Sequence, residues 1–188
     1  MPRDAACGTH AMTSDPSRRS LVAAFASLAI LRPSRPLFAQ DAGSATAQDE
    51  RFMRMAIDEA RQGDFPFGTV IVRDGRILAR GHNLGRTSDD PTAHGEMVAI
   101  HRSLADHGSA ALKGSTLYTS GEPCAMCMGA ILWCGFGRLV YAASVEQLST
   151  RIEQIMISSA ELAAKAPFSR ISITGGVLAE EAMRLFNK

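Results

Sequence analysis

STLYTSGEPCAMCMGAILWCGFGRLVYAA, residues Ser115 to Ala143, sets the class of this fold. Ser115 to Thr119 has the β-branched and aromatic character of a short strand. Pro123 suits the first position of a helix, where its missing N–H costs nothing. The apolar run through Ile131 and Leu132 carries that predicted helix to Gly135, and Arg138 to Ala142 reads as a second strand. Strand, helix and strand in succession is the order of an α/β sheet.

The pattern continues on both sides. Upstream, Phe52, Met55, Ala56, Ile57 and Ala60 recur at helical spacing from Asp49 until Gly63. Thr69 to Arg73 and Arg76 to Arg80 flank Asp74-Gly75, a dipeptide that favours a tight hairpin turn. A polar loop spans Asn83 to Ala93, and helical spacing returns from His94 through Met97, Val98, Ile100, His101 and Leu104. Downstream, Val145 to Lys165 reads as mostly helical, Arg170 to Thr174 as a strand and Ala179 to Phe186 as a terminal helix. Alternating strands and helices predict one α/β domain, a single sheet with helices on both faces.

Composition agrees with a globular domain: 46% of the 188 residues are hydrophobic and 21% charged. No run approaches the roughly 18 apolar residues that suggest a membrane span. Residues 1–39 hold five arginines and two acids, leaving fifteen basic against seventeen acidic residues from Gln40 onward, a net charge of −2. That balance disfavours nucleic acid as a partner, because a grip on a polyanion draws most of its affinity from basic contacts to phosphate.

Ser17-Arg18-Arg19-Ser20 precedes the apolar run Leu21 to Leu31, which breaker-rich Pro33 to Ala39 follows. Charged, apolar, then small and breaking is the order of a secretory signal, and the paired arginines resemble a twin-arginine export signal. Residues 1–39 are read as that signal, 40–48 as a linker and 49–188 as the domain, which places the protein in the periplasm. The alternative is a start further along the chain and a cytoplasmic enzyme. Of four cysteines, Cys7 falls in the signal, and the remaining three form no disulfide framework. Cys134, in an apolar stretch, is expected to be a small buried hydrophobe.

Two fragments carry the chemistry. His94-Gly95-Glu96 opens one predicted helix and Pro123-Cys124-Ala125-Met126-Cys127 opens another. Each alone is weak, since a Cys-x-x-Cys pair also fits a redox couple or a structural zinc half-site. Cysteines three apart on a helix project from one face and can share an ion, and a helix N-terminus favours their thiolates. With His94 they make three ligands, which leaves the fourth tetrahedral position of a zinc ion open to water, the mark of a catalytic site. Glu96 points elsewhere on its turn and is placed to move protons rather than to ligate.

Together the fragments match the His-x-Glu and Pro-Cys-x-x-Cys signature of zinc deaminases. From Phe65 to Ala143 the sequence resembles the cytidine-deaminase superfamily, on the branch of guanine, cytosine and tRNA adenosine deaminases. Pro66-Phe67-Gly68, Gly81-His82-Asn83, Asp90 to Glu96 and Leu117 to Ile131 carry that likeness. The resemblance implies a three-layer α/β/α sandwich with a five-stranded mixed sheet, one zinc per chain, a homodimer or larger oligomer, and hydrolytic release of ammonia from a small-molecule substrate. It implies that Asn83 hydrogen-bonds the base, a loop asparagine being the alternative, and that Trp133 stacks on a purine, a core tryptophan being the alternative. Gly95 stands where purine and tRNA enzymes usually carry alanine, and Glu146 to Ile157 replaces the acidic segment with which guanine deaminases read their base. Zinc-dependent hydrolytic deamination of a free nucleobase, nucleoside or related amino-heterocycle leads, guanine-deaminase-like first among these, with tRNA adenosine deamination and a non-catalytic zinc or redox domain as alternatives.

Overall fold

A computed structural model describes residues 45–187. The signal reading of residues 1–39 and most of the linker lie outside the described residues. Asp74 and Gly75 both take positive φ, 51° and 74°, as a type I′ turn requires. That turn joins β1 (Gly68–Arg73) to β2 (Arg76–His82) in an antiparallel pair with one bulge between Ile71 and Val72. On its other side β1 pairs antiparallel with β3 (Thr116–Gly121), which pairs in parallel with β4 (Arg138–Ala143), and β4 in parallel with β5 (Ser172–Thr174). The sheet is therefore mixed, five-stranded and ordered β2-β1-β3-β4-β5.

Helices cover both faces. Helix α1 (Ala47–Ala60) buries Phe52, Met53, Ala56 and Ile57 against Val70, Val72 and Tyr118 of one face. Each fully buried Met, Ile or Phe there is worth about 1.5–3 kcal/mol of apolar burial. Helices α2 (Gly95–His107), α3 (Ser109–Leu112) and α4 (Ala125–Cys134) cover the other face, with Ile100, Leu112, Met128 and Ile131 against Ile71, Leu117 and Leu139. The chain continues through α5 (Val145–Ser149), α6 (Ser159–Ala164), α7 (Ala179–Met183) and a 3-10 turn, Arg184–Phe186. Leu148 of α5 and Ala182 of α7 join the α1 side, and Ala163 of α6 joins the α4 side. This is the three-layer α/β/α arrangement.

The observed elements depart from the expected ones in five places. Thr46 starts α1 two residues early, because its hydroxyl accepts from Asp49 N–H while the Asp49 carboxylate accepts from Thr46 N–H. Pro123 stands ahead of α4 and Cys124 is the N-cap, so the proline is outside the first turn. The expected helix from Val145 to Lys165 is two short helices, since Ser158 begins α6 with a capping box of its own after Thr150 closes α5. The last strand shortens to three residues, and α3 adds one helical turn after Gly108 that periodicity did not indicate.

Candidate active site

The parallel strands β3 and β4 end beside each other, and the connection leaving the C-terminal end of β3 leads to Cys124 at the N-cap of α4 and Cys127 in its first turn. Crevices beyond the carboxyl ends of parallel strands are where open α/β sheets place ligands. Glu122 N–H donates to Ala143 O at 2.7 Å, which fixes the chain just before Cys124 to the end of β4. The second arm comes from α2. A Cβ on Gly81 would lie 2.4 Å from Gly95 O, and one on Gly95 would lie 2.9 Å from Phe67 O. Only two glycines allow the first turn of α2 to rest directly on the backbone of the β1–β2 hairpin. Gly95 therefore has a packing reason of its own.

His94 and Cys124 are both N-cap residues with extended backbones, ψ 158° and 168°, and neither makes a side-chain cap bond. Two helix starts thus meet with their caps facing each other. His94 Nδ1 lies 3.6 Å from Cys124 Sγ and 3.5 Å from Cys127 Sγ, and the three donor atoms fall within 4.8 Å of one another. Tetrahedral zinc with Zn–N near 2.05 Å and Zn–S near 2.3 Å demands an N···S edge of about 3.5 Å. The residues present fit that ion in donor chemistry and in spacing.

Protonation follows from this crowding. The Cys124 thiol falls to about 4, because Cys127 and then His94 hydrogen-bond its sulfur. Cys127 is pushed far up, because it supplies the bond to Cys124 and is buried. His94 is raised by its bond to Cys124. Proton sharing between sulfurs and imidazole is what a divalent ion displaces on binding. Glu96, 3% exposed, is raised by burial, the dominant cause. Its Oε1 accepts from the Thr119 hydroxyl at 3.4 Å.

The structure brings His94, Cys124 and Cys127 together with Glu96 beside them, and adds Thr119, which the sequence reading did not include. The available clue was strand alternation: Thr119 shares a face of β3 with Leu117, the face that α2 covers. Asn83 is buried at the end of β2, its Oδ1 accepting from Gly85 N–H at 3.1 Å. The neighbouring Leu84 N–H donates to Ala93 O, which brings Asn83 close to His94. Trp133 is outside this group. It is 78% exposed, so it is no core residue, and it stacks on Phe168 at 4.5 Å and 21°. Cys134 packs against the α2/α4 core with its thiol raised by burial, but it is half-buried rather than the buried residue expected.

Residues 46–143 match the family described as the cytidine and deoxycytidylate deaminase zinc-binding region. The chain belongs to this family. Among curated relatives, the guanine deaminase of Bacillus subtilis (strain 168) is 46% identical over 99 residues, 50% of this chain and 64% of that protein. The tRNA-specific adenosine deaminase of the same organism is 41% identical over 100 residues, 51% of this chain and 62% of that protein. The chain spans less than two thirds of either. Among solved structures, one from biochemical and structural studies of A-to-I editing by tRNA:A34 deaminases has a TM-score of 0.62 at 30% identity, covering 72% of this chain and 98% of that one. NE0047 in complex with 2,6-diaminopurine has a TM-score of 0.63 at 25% identity, covering 79% and 84%. The matched span of this zinc-binding deaminase family includes all three candidate ligands and Glu96.

Proposed function

We propose that this chain is a zinc-dependent hydrolytic deaminase that acts on a free nucleobase, a nucleoside or a related amino-heterocycle, guanine-like purines first, and releases ammonia. The observation that carries this reading is a buried carboxylate, Glu96, beside a three-donor cluster that can hold one ion. His94, Cys124 and Cys127 would hold one zinc per chain, and zinc bound there supplies Lewis-acid activation of water near neutral pH. Glu96 takes a proton from the water that adds to the carbon bearing the amine. It delivers that proton to the ring nitrogen, and a proton then goes to the departing amine, so that amine and water become carbonyl and ammonia. Its raised pKa suits a group that must both accept and return a proton, and the Thr119 hydroxyl orients it. Gly85 N–H fixes the amide plane of Asn83, whose remaining donors we assign to the base. Guanine deaminase in one relative and a diaminopurine in one neighbour support a purine.

An ammonia-release screen over guanine, adenine, cytosine, isocytosine, their nucleosides and aminotriazines tests this. At least one compound is expected to turn over, and Glu96→Ala is expected to retain zinc and fold while losing activity by about 10³-fold. Unchanged turnover in that variant overturns the assignment.

A second reading, tRNA adenosine deamination, draws support from the near-complete coverage of a tRNA:A34 deaminase structure. The net charge of −2 beyond residue 39 weighs against it. Tight, salt-sensitive retention of tRNA in a filter-binding assay decides for it. The order of residues 17–39 supports export of the folded, zinc-loaded protein, which would separate it from tRNA. Arg18→Lys with Arg19→Lys is expected to hold the protein in the cytoplasm on cell fractionation, and an unaltered distribution removes the export reading.

A further inference from the structure

Glu122 is buried, 4% exposed, two residues before Cys124, and the chemistry above gives it no task. Its two carboxylate oxygens go to two different places. Oε2 accepts from Val145 N–H at 2.9 Å, and Oε1 accepts from Ser159 N–H at 2.7 Å. Val145 is the first residue of α5 and Ser159 the first residue of α6. The serine before each helix already satisfies a later amide, Ser144 that of Gln147 and Ser158 that of Glu161. Glu122 therefore supplies the cap that each serine leaves unmade.

The consequence is topological. A 15-residue stretch from Val145 to Ser159, helical only at its start and its last residue, has both ends tied to one side chain. Its middle, Thr150 to Ser158, has no regular structure and exposes Ile155, Met156 and Ile157. A surface loop of this length with its ends drawn together is a compact unit. The backbone of the same residue is fixed to the end of β4 through Ala143 O. One rigid residue, Pro123, then separates Glu122 from the ligand Cys124.

We propose that Glu122 is a positioning residue that holds the Cys124 turn and both ends of the Val145–Ser159 loop as one unit, so that metal retention and the order of that loop depend on the same carboxylate. This rests on the reading of His94, Cys124 and Cys127 as a zinc site. Partners outside the ligand shell fix ligand orientation, and their loss weakens metal binding ten- to a hundred-fold in order of magnitude.

The test uses the full chain as wild type, Glu122→Ala and Glu122→Gln, each metal-free and loaded with zinc or with cobalt. Glu122→Ala is expected to lose zinc to a chelator about ten-fold faster or more. Its cobalt-thiolate absorption is expected to shift in position or intensity, and amide hydrogen exchange to accelerate across residues 145–159 while α1 and β1 keep their protection. Glu122→Gln, which keeps the shape and one acceptor, is expected to restore part of each effect, and it decides the matter if the alanine variant fails to fold. Zinc loss within two-fold of wild type with an unchanged cobalt spectrum overturns the proposal. Exchange that rises equally in α1 and β1 also overturns it, since Glu122 would then only stabilise the fold at large. A wild-type chain that takes up no metal sinks the zinc-site reading instead, and exchange at 145–159 in the metal-free proteins still tests the tie.

Discussion

Tyr118 and Thr119 are consecutive on β3, and alternation sends them to opposite faces, each toward a buried carboxylate. On the α1 face Asp49 is saturated. Its oxygens accept from the Tyr118 hydroxyl at 3.0 Å, from Arg138 at 2.6 and 3.1 Å, and from the backbone and hydroxyl of Thr46, both at 2.9 Å. Arg138 completes the set with a bond to Thr174 Oγ1 at 3.1 Å. On the α2 face Glu96 has one long bond from Thr119, the weaker help of the Cys127 thiol and of its own backbone N–H, and among the described residues no arginine or lysine partner. Burial raises Glu96, whereas around Asp49 burial alone would raise the carboxyl and the hydrogen bonds led by Arg138 hold it at about 2. The fold can satisfy a buried acid completely, so the incompleteness at Glu96 is a local feature. Groups left short of partners are where an ion and a substrate can supply the missing ones.

The two clusters should therefore fail differently. Cys127→Ala removes one of the three candidate ligands and is expected to abolish zinc uptake and to reduce ammonia release by at least about 10³-fold, measured as metal content and turnover together. Retained stoichiometric zinc in that variant breaks the comparison. Asp49→Asn is expected to leave zinc and turnover in place but to lower neutral stability by about 2–3 kcal/mol in denaturant unfolding, because Arg138 loses its charged partner in a mostly buried site. The pH dependence carries a definite sign. The folded carboxyl of Asp49 lies at about 2 against an ordinary 3.8, so its contribution is complete above pH ~4 and is lost as pH falls through 2. That contribution is about 2 kcal/mol. Metal-free wild type should lose stability across that window more steeply than metal-free Asp49→Asn, and parallel acid limbs would count against the assignment.

The same contrast explains what could be read from the residues alone. His94, Glu96, Cys124 and Cys127 were legible because their spacings are short and each group opens a helix, so local geometry brings them to a tip. Asp74-Gly75 was legible because few residues tolerate positive φ at both turn positions. The Asp49–Arg138 pair was not, since its partners are 89 residues apart and the capping box that holds Asp49 says nothing of Arg138. Nor was the break between α5 and α6. Hydrophobic spacing from Val145 onward resembles continuous helix, while Ser158 and Glu161 mark a fresh start and Glu122, 37 residues before Ser159, secures it. Thr119 could have been found by alternation, but only once the facing helix was known.

Trp133 gives the smallest effect and the finest test of where the incomplete cluster ends. Six residues beyond Cys127, it lies about 9 Å along α4 and is turned by roughly 240° about the helix axis, so its ring is not directed over the candidate metal ligands of its own chain. With 78% of its surface exposed and one face stacked on Phe168, it belongs to the outer side of α4. Trp133→Ala is accordingly expected to alter stability by less than about 0.5 kcal/mol and to leave KM for any substrate found in the ammonia screen within about two-fold, because a lost base-stacking contact would cost about 1–3 kcal/mol. A ten-fold rise in KM at unchanged kcat would return the indole to the base, and the geometry of α4 would then require it to arrive from a second copy of the chain.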